Sequence, residues 1–123
     1  QINPWLDIKT SCERVTEENI PRLFQKADII CEAFDRPENK AMLVNGCLEL
    51  FPEKPLVCAS GMGGFGRSNA IVTRQVGRNF YLCGDSTSGI EEGQGLAAPR
   101  VALCAAHEAN QILELILNDT KKK

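Results

Sequence analysis

Two short runs of mainly apolar residues in this chain have the pattern of buried parallel strands. Residues 27–31 and 56–60 are each too short for a helix and contain few polar side chains. Between them, Pro37 favours a helix start, because proline loses no hydrogen bond at the first helical position. The apolar stripe of this helix consists of Met42, Leu43, Cys47, Leu50 and Phe51. The pattern therefore predicts a strand–helix–strand unit over residues 27–60 with a right-handed crossover.

The segment before this unit predicts one more strand and a short helix. Leu6 and Ile8 alternate with polar residues, which is the period of a half-buried strand. Thr16 is a candidate helix N-cap, and Ile20 and Phe24 follow it at helical spacing. We therefore expect a strand running toward Cys12 and a helical turn after it.

The C-terminal part of the chain predicts a hairpin and a long helix. Residues 68–75 and 78–83 have the character of two strands, joined at Gly77. Residues 84–95 are rich in glycine and small polar side chains, which is typical of a loop. Residues 97–118 have the apolar stripe of a long helix. Together with the preceding elements, they predict an α/β fold with parallel strands, a later hairpin and a C-terminal helix.

Composition narrows the class of protein. The 123 residues, of which 43% are hydrophobic and 24% charged, fit one globular domain. We place this domain at residues 1–118 and expect a disordered basic tail over residues 119–123. The net charge is −2 and the basic residues are scattered, so the sequence shows no basic patch for binding nucleic acid. Since no apolar stretch is long enough to cross a membrane, we expect neither nucleic acid nor membrane as a partner.

The cysteines indicate a reducing compartment. None of the six forms a C-x-x-C pair, so the usual spacing of a zinc or redox site is absent from the sequence. Four have apolar neighbours and are predicted to be small buried hydrophobic side chains: Cys31, Cys58, Cys83 and Cys104. Reduced, buried thiols are typical of cytoplasmic proteins.

Asp35 is the main candidate for chemistry. It lies just past the first predicted strand, and open α/β sheets bind ligands at this end of their strands. A carboxylate there can hold Mg²⁺ beside nucleotide phosphates. The alternative is that Asp35 caps the helix beginning near Pro37, a role that explains an aspartate at this position without any ligand. Position alone favours the cap, and one residue can have both roles.

The glycine-rich segment 61–66 and His107 are weaker signals. Four of the six residues in the segment are glycine, which allows backbone amides to approach a ligand. The spacing does not match a P-loop, and the segment precedes a strand where a Rossmann fingerprint would precede a helix. A tight crossing over the sheet end is the better explanation from pattern alone. His107 lies near the edge of the last apolar stripe, which favours packing or a surface role over catalysis.

An ordered set of segments resembles the superfamily of ThiF, MoeB and HesA, which includes the adenylation domains of ubiquitin-activating enzymes. The segments are ADIICEAFD at 27–35, Lys40, PLVCASG at 55–61 and GLAAPR at 95–100. Their order and spacing match over nearly the whole chain, most closely to ThiF-type enzymes of thiamine biosynthesis. The resemblance implies the C-terminal half of a Rossmann-like, doubly wound adenylyltransferase domain.

The resemblance also implies an activity and its residues. Such enzymes use ATP and Mg²⁺ to adenylate the C-terminal glycine of a ubiquitin-like sulfur carrier protein, and we expect a cytoplasmic homodimer. Asp35 matches the family's catalytic, magnesium-binding aspartate, whereas Arg36 replaces the asparagine that follows it. Lys40 stands in a nucleotide-site arginine position with its charge kept. The carrier tail is expected to lie along four glycines: Gly61, Gly63, Gly64 and Gly95.

Three departures from the family pattern modify these expectations. The family's nucleotide-binding glycine loop would lie upstream of Asn3-Pro4, so this chain alone is expected to bind ATP poorly and to be inactive. Many relatives carry two C-x-x-C zinc pairs. Here Phe80 replaces one cysteine opposite Cys83 and the second pair is missing, so no zinc is expected. Residues 91–94 lack the cysteine that several relatives use in thioester or persulfide chemistry.

Two other functions stay open from the sequence. The chain can be a non-catalytic module for dimerisation and carrier docking, since the phosphate-binding half is not part of it. It can also belong to a tRNA-modifying dehydratase of the same superfamily. The absence of a basic face in the sequence makes the dehydratase the less favoured of these.

Overall fold

A computed structural model describes residues 4–34, 36–60, 68–85 and 98–122, with the side chains of the last segment described from 99 to 119. These segments form a four-stranded sheet in the order β1-β2-β4-β3. The strands are β1 (Ile30–Cys31), β2 (Leu56–Ala59), β3 (Val72–Gly77) and β4 (Phe80–Gly84). Strands β1, β2 and β4 are parallel, and β3 pairs with β4 as an antiparallel hairpin. The predicted mixed α/β fold is confirmed.

Helices cover both faces of this sheet. Helices α1 (Ile20–Phe24) and α2 (Pro37–Leu50) pack on one face, and α3 (Ala98–Lys122) packs on the other. All four residues of β2 are buried, and they alternate between the faces. Leu56 and Cys58 join the core beneath α1 and α2, whereas Val57 and Ala59 join the core beneath α3. The uninterrupted apolar run of β2 is therefore the signature of a central parallel strand.

Helix α2 begins at Pro37, as predicted, and buries Leu43 and Cys47 of its apolar stripe. Its N-cap position is occupied by Arg36, so Asp35 lies one residue ahead of the capping position. The close approach of α1 explains the glycine inside the helix. A Cβ atom added at Gly46 would lie 2.8 Å from Cδ1 of the buried Ile20. A glycine weakens a helix, and here it makes room for the neighbouring helix.

The short helix α1 is held at both ends by side chains. Before it, Thr16 N–H donates to Asn19 Oδ1 over 2.8 Å, and Asn19 N–H donates to Thr16 Oγ1 over 3.3 Å. Beyond it, the Lys54 ammonium donates to the carbonyl oxygens of Phe24, Gln25 and Ala27 over 3.1, 2.6 and 2.6 Å. A helix this short cannot be stable by itself, so these tertiary contacts hold it in place.

Three predictions about elements were wrong. Residues 6–9 form no strand, and Leu6 and Ile8 are 56% and 59% exposed. No described strand pairs with this segment, and alternation alone cannot bury a side chain without a sheet. Strand β1 spans two residues rather than five, and Cys31 is exposed because β1 lies at an edge of the described sheet. Helix α3 continues to Lys122, past the end predicted at Asn118.

The other predictions about the core are confirmed. Cys58, Cys83 and Cys104 are buried and unoxidised, and Cys47 is buried as well. The hairpin forms, but its first strand begins at Val72 rather than at Ser68, since Ser68–Ala70 is a short 3₁₀ helix. The turn lies at residues 78–79 rather than at Gly77, and the register is irregular between Gln75 and Gly77. None of the described helices is both long and apolar enough to cross a membrane.

Candidate functional site

Strands β1 and β2 are parallel neighbours, with Ile30 opposite Leu56 and Cys31 opposite Val57. Their carboxyl ends therefore lie side by side. Glu32 follows β1 directly and is only 1% exposed. Its Oε2 accepts hydrogen bonds from Phe34 N–H over 2.7 Å and from Lys40 Nζ over 2.9 Å. Its Oε1 accepts from Ala59 N–H at the end of β2 over 3.4 Å. One buried carboxylate thus joins β1, β2 and α2 at this edge of the sheet.

Lys40 completes the arrangement from the first turns of α2. Its ammonium pairs with Glu32 and also donates to the carbonyl oxygen of Ala59 over 3.2 Å. The side chain of Lys40 is 21% exposed, so the pair lies at the boundary between core and solvent. A buried ion pair is tolerated when further hydrogen bonds satisfy both partners, and here they do. Lys40 therefore lies at the carboxyl ends of the parallel strands, where the sequence predicts ligand binding. Its contact with a nucleotide stays a prediction.

The other predicted site residues fall outside the described residues. These are Asp35, Gly61, Gly63, Gly64 and Gly95. Their neighbours in sequence are described, however. Phe34 and Ser60, which precede Asp35 and Gly61, belong to the two strand exits that Glu32 joins. The structure thus places the residues just before both predicted binding segments at the carboxyl end of neighbouring strands.

Sequence reasoning missed Glu32 as a residue of the candidate site. A glutamate directly after an apolar strand, with a lysine in the first turns of the next helix, was the available signal. Only the tertiary structure shows that this glutamate is buried and that the lysine reaches it. Glutamate is almost never fully buried unless it is paired, so a buried glutamate with a lysine partner is a feature that apolar patterns in the sequence do not predict.

A second buried carboxylate lies on the opposite face of the sheet. Glu108 of α3 is 6% exposed, and its Oε2 accepts a hydrogen bond from Cys31 Sγ over 3.3 Å. Burial raises the pKa of Glu108, the Cys31 hydrogen bond lowers it, and the charges of Glu32 and Lys40 act in opposite directions. Cys31 as a whole is exposed, but its thiol is partly buried against Glu108. This partial burial, followed by the charge of Glu108, raises the pKa of Cys31 to about 12. Cys31 is therefore a protonated hydrogen-bond donor at neutral pH and a poor nucleophile.

His107 takes part in packing between α3 and the hairpin. Its Nδ1 lies 2.9 Å from Thr73 Oγ1 on β3. Thr73 Oγ1 also lies 3.6 Å from Cys83 Sγ, which is fully buried. This arrangement agrees with the packing role favoured by the sequence. A nearby ion pair, Arg100 with Asp85 at 2.8 Å, joins the start of α3 to the end of β4.

A cavity of about 760 Å³ lies at the amino-terminal end of the parallel strands, opposite the end that carries Glu32 and Lys40. Its lining includes Asp28, Pro55 and Asn79, which precede β1, β2 and β4, and the last turns of α3 near Asn118. Ligands of open α/β sheets bind outside the carboxyl ends of the strands. This cavity is therefore separate from the candidate site. In the described part of the chain, no group of three or more His, Cys, Asp or Glu side chains is arranged to hold a metal ion.

Comparison with known proteins agrees with this geometry. The structure is similar to that of E. coli tRNA N6-threonylcarbamoyladenosine dehydratase, TcdA, in complex with ATP, with a TM-score of 0.82 and 16% identity. That similarity covers 99% of this chain and 61% of TcdA. A second structure, described as TcdA (CsdL), matches with a TM-score of 0.72 and 15% identity, over 89% of this chain and 56% of its own. The chain thus spans about three fifths of these solved proteins, and the likeness shows the shared fold.

Sequence comparison identifies the family. No curated protein sequence is significantly similar to this chain. The model of the ThiF family, however, matches residues 1–123, the whole of the chain. The fold shared with the solved neighbour agrees with that match. The chain belongs to the ThiF family.

Proposed function

We propose that this chain forms part of an ATP-dependent adenylyltransferase that activates the C-terminal glycine of a ubiquitin-like sulfur carrier protein. The observation that supports this most directly is the convergence of the β1 and β2 exits on Glu32 and Lys40. Family membership and an ATP-bound structural neighbour support the use of ATP. The thiamine pathway follows from the sequence resemblance alone.

In the proposed reaction, an oxygen of the carrier's terminal carboxylate attacks the α-phosphorus of ATP. The bond to the bridging oxygen breaks, and pyrophosphate leaves with the electron pair of that bond. The protein contributes by positioning the reactants and offsetting charge, which is the main protein contribution to phosphoryl and nucleotidyl transfer. Magnesium, when bound, would neutralise charge on the leaving pyrophosphate.

The described residues limit which side chain can hold that magnesium. Both oxygens of Glu32 already accept hydrogen bonds from Lys40 and from two backbone amides, so Glu32 is unsuited as a metal ligand. Asp35 is the next carboxylate along the same exit. We assign the magnesium to Asp35 and a phosphate contact to Lys40, whose ammonium lies at the same edge.

The test is carrier-dependent exchange of labelled pyrophosphate into ATP by the full-length protein. We expect Asp35→Ala to reduce the exchange by about 100-fold, which is within the range for loss of a charge-stabilising group. Asp28→Ala is the matched control, because it makes the same change at the opposite end of β1. Undiminished exchange in Asp35→Ala would remove Asp35 from the mechanism, and no exchange in the unsubstituted protein would contradict the proposed function.

A second candidate function is modification of tRNA. It is supported by the fold shared with TcdA, a tRNA N6-threonylcarbamoyladenosine dehydratase. Against it, the net charge of −2 provides little attraction for RNA. ATP consumption by the full-length protein distinguishes the two functions. Stimulation by tRNA carrying N6-threonylcarbamoyladenosine would favour the dehydratase, and stimulation by a carrier protein with a glycine C-terminus would favour the adenylyltransferase.

The non-catalytic module gives a third result in the same assay. A protein that binds the carrier but consumes no ATP with either substrate would be a docking module. Sedimentation equilibrium of the same preparation tests the proposed homodimer, which rests on the resemblance. Activity that follows the dimer concentration would indicate that the two subunits act together.

A further inference from the structure

Strand β2 continues beyond the point where β1 leaves it. The last backbone bond between them runs from Glu32 N–H to the carbonyl oxygen of Val57, over 2.8 Å. Alternate residues of a strand direct their backbone groups to the same neighbour, so Ala59 faces the side of β1 as Val57 does. The next residue, Ser60, faces the opposite side, where its N–H donates to the carbonyl oxygen of Cys83 in β4 over 2.8 Å. The N–H and C=O of Ala59 thus point to the side of β1, at a position where β1 no longer runs beside β2.

Two side chains provide the missing partners. The Glu32 carboxylate accepts from Ala59 N–H, as a carbonyl of β1 would, and the Lys40 ammonium donates to Ala59 C=O, as an N–H would. The two side chains also pair with each other over 2.9 Å. Buried backbone groups need partners, and here an ion pair supplies them. The chain after Glu32 can therefore leave β2 without unpaired groups at Ala59.

The same carboxylate also sets the direction of the departing chain. Phe34 N–H donates to Glu32 Oε2 over 2.7 Å, which turns the backbone back toward the glutamate two residues after the strand. The residue after Phe34 is Asp35, and the glycine-rich segment begins two residues after Ala59. Glu32 therefore holds Phe34 and Ala59, which come shortly before the two segments that the proposed function places around the substrate.

We infer that Glu32 is a positioning residue: together with Lys40 it replaces the β1 backbone beside Ala59 and holds the exits of β1 and β2 at a fixed spacing. This inference rests on the proposed function, because the spacing matters to catalysis only if ATP and the carrier bind between the exits. Glu32 itself touches neither. Its role is exerted through Phe34, Lys40 and Ala59.

Four variants separate positioning from simple stability. Glu32→Gln places an amide NH₂ where only acceptors fit, so at least one of three donors loses its partner. It also removes the charged partner of Lys40, which keeps only its hydrogen bond to Ala59 C=O, and this loss is destabilising for a largely buried pair. The double variant Glu32→Gln with Lys40→Met removes both charges, so its stability should exceed that of Glu32→Gln, although Ala59 C=O still lacks its donor. Lys40→Arg keeps the charge, and Glu49→Gln makes the glutamate change on an exposed part of α2.

The first measurement is amide hydrogen exchange by NMR in the full-length protein. In the double variant, we expect exchange at Phe34, at Ala59 or at both to become roughly tenfold faster or more, because the single amide oxygen of glutamine cannot replace both carboxylate oxygens. The amides of Ser60 and Leu56 donate to the backbone oxygens of Cys83 and Asn79, so their protection should not change. Unchanged protection at Phe34 and Ala59 would overturn the inference, whatever the activity.

The second measurement is the carrier-dependent pyrophosphate exchange used above. We expect kcat/KM of Glu32→Gln, which keeps Lys40 and its proposed phosphate contact, to fall roughly 100-fold at a temperature where this variant is still folded. The double variant should lose at least as much activity while its unfolding midpoint recovers in part, because misplaced groups lower rates without unfolding the protein. Lys40→Arg should retain more activity than the double variant. If the unsubstituted protein is active and the double variant matches Glu49→Gln, Glu32 has no positioning role. If the unsubstituted protein is inactive, the proposed function and the catalytic part of this inference both fail.

Discussion

Cys31 donates a hydrogen bond from its thiol to the carboxylate of Glu108 over 3.3 Å, and this contact joins the edge strand β1 to helix α3. The two residues are 77 positions apart in sequence. The contact stabilises a carboxylate that is otherwise surrounded by the core, so it couples the protonation of Glu108 to the packing of α3 on the sheet.

The stability of the protein should therefore depend on pH through Glu108. Burial raises the folded pKa of Glu108 above the ordinary value of 4.5. Above pH 4.5 the folded state then binds more protons than the unfolded state, so the free energy of unfolding falls as pH rises through the folded pKa. We expect Glu108→Gln to remove this decrease, and urea unfolding at pH 5 and pH 7 measures it. Glu114→Gln, on an exposed part of α3, should keep the decrease, and an identical slope in both variants would exclude Glu108 as its source.

The ammonium group of Lys54 should stabilise the carboxyl-terminal end of helix α1. Its ammonium donates to three carbonyl oxygens at the end of α1 and lies 4.8 Å from the centre of the Phe51 ring. We expect Lys54→Met to lower the free energy of unfolding by about 1–3 kcal/mol, because those carbonyls lose a charged donor. Lys26→Met, at a nearby exposed position, is the control, and equal urea midpoints for the two variants would contradict this role.

Gly46 should respond to substitution according to the residue that faces it. Alanine normally stabilises a helix interior by about 1 kcal/mol relative to glycine. Here its Cβ atom would lie 2.8 Å from Ile20 Cδ1, so Gly46→Ala is expected to destabilise the protein by about 1 kcal/mol. In an Ile20→Val background, which lacks that methyl group, the same substitution should be stabilising. A double-mutant cycle by thermal or urea unfolding measures this difference, and the same effect in both backgrounds would disprove the contact.

Much of the fold could be predicted from the local pattern of the chain. Strand β2, helix α2, the hairpin and the long last helix all follow from apolar periodicity, proline placement and turn residues. These signals work because each element buries its own apolar residues, whatever its neighbours are. The family resemblance was also visible in short ordered motifs, and the match over residues 1–123 confirmed it.

The two failures that concern strands have one physical cause. The alternation of Leu6 and Ile8 is a strand pattern, but a strand exists only when another backbone pairs with it, and no described strand does. Cys31 has an apolar neighbour, but its exposure is set by the position of β1 at the sheet edge. Local sequence contains neither the pairing partner nor the order of the strands.

By itself, the sequence determined the element types, the central buried strand, the reduced state expected of the thiols and the likeness to the ThiF family. Only the tertiary structure decided that Glu32 is buried, that Lys40 reaches it from the next helix, and that both pair with Ala59. The reason is that these hydrogen bonds span up to 27 positions of the chain. Their formation depends on which strands are neighbours and where each ladder ends, and that is decided by the packing of the whole sheet between its helices.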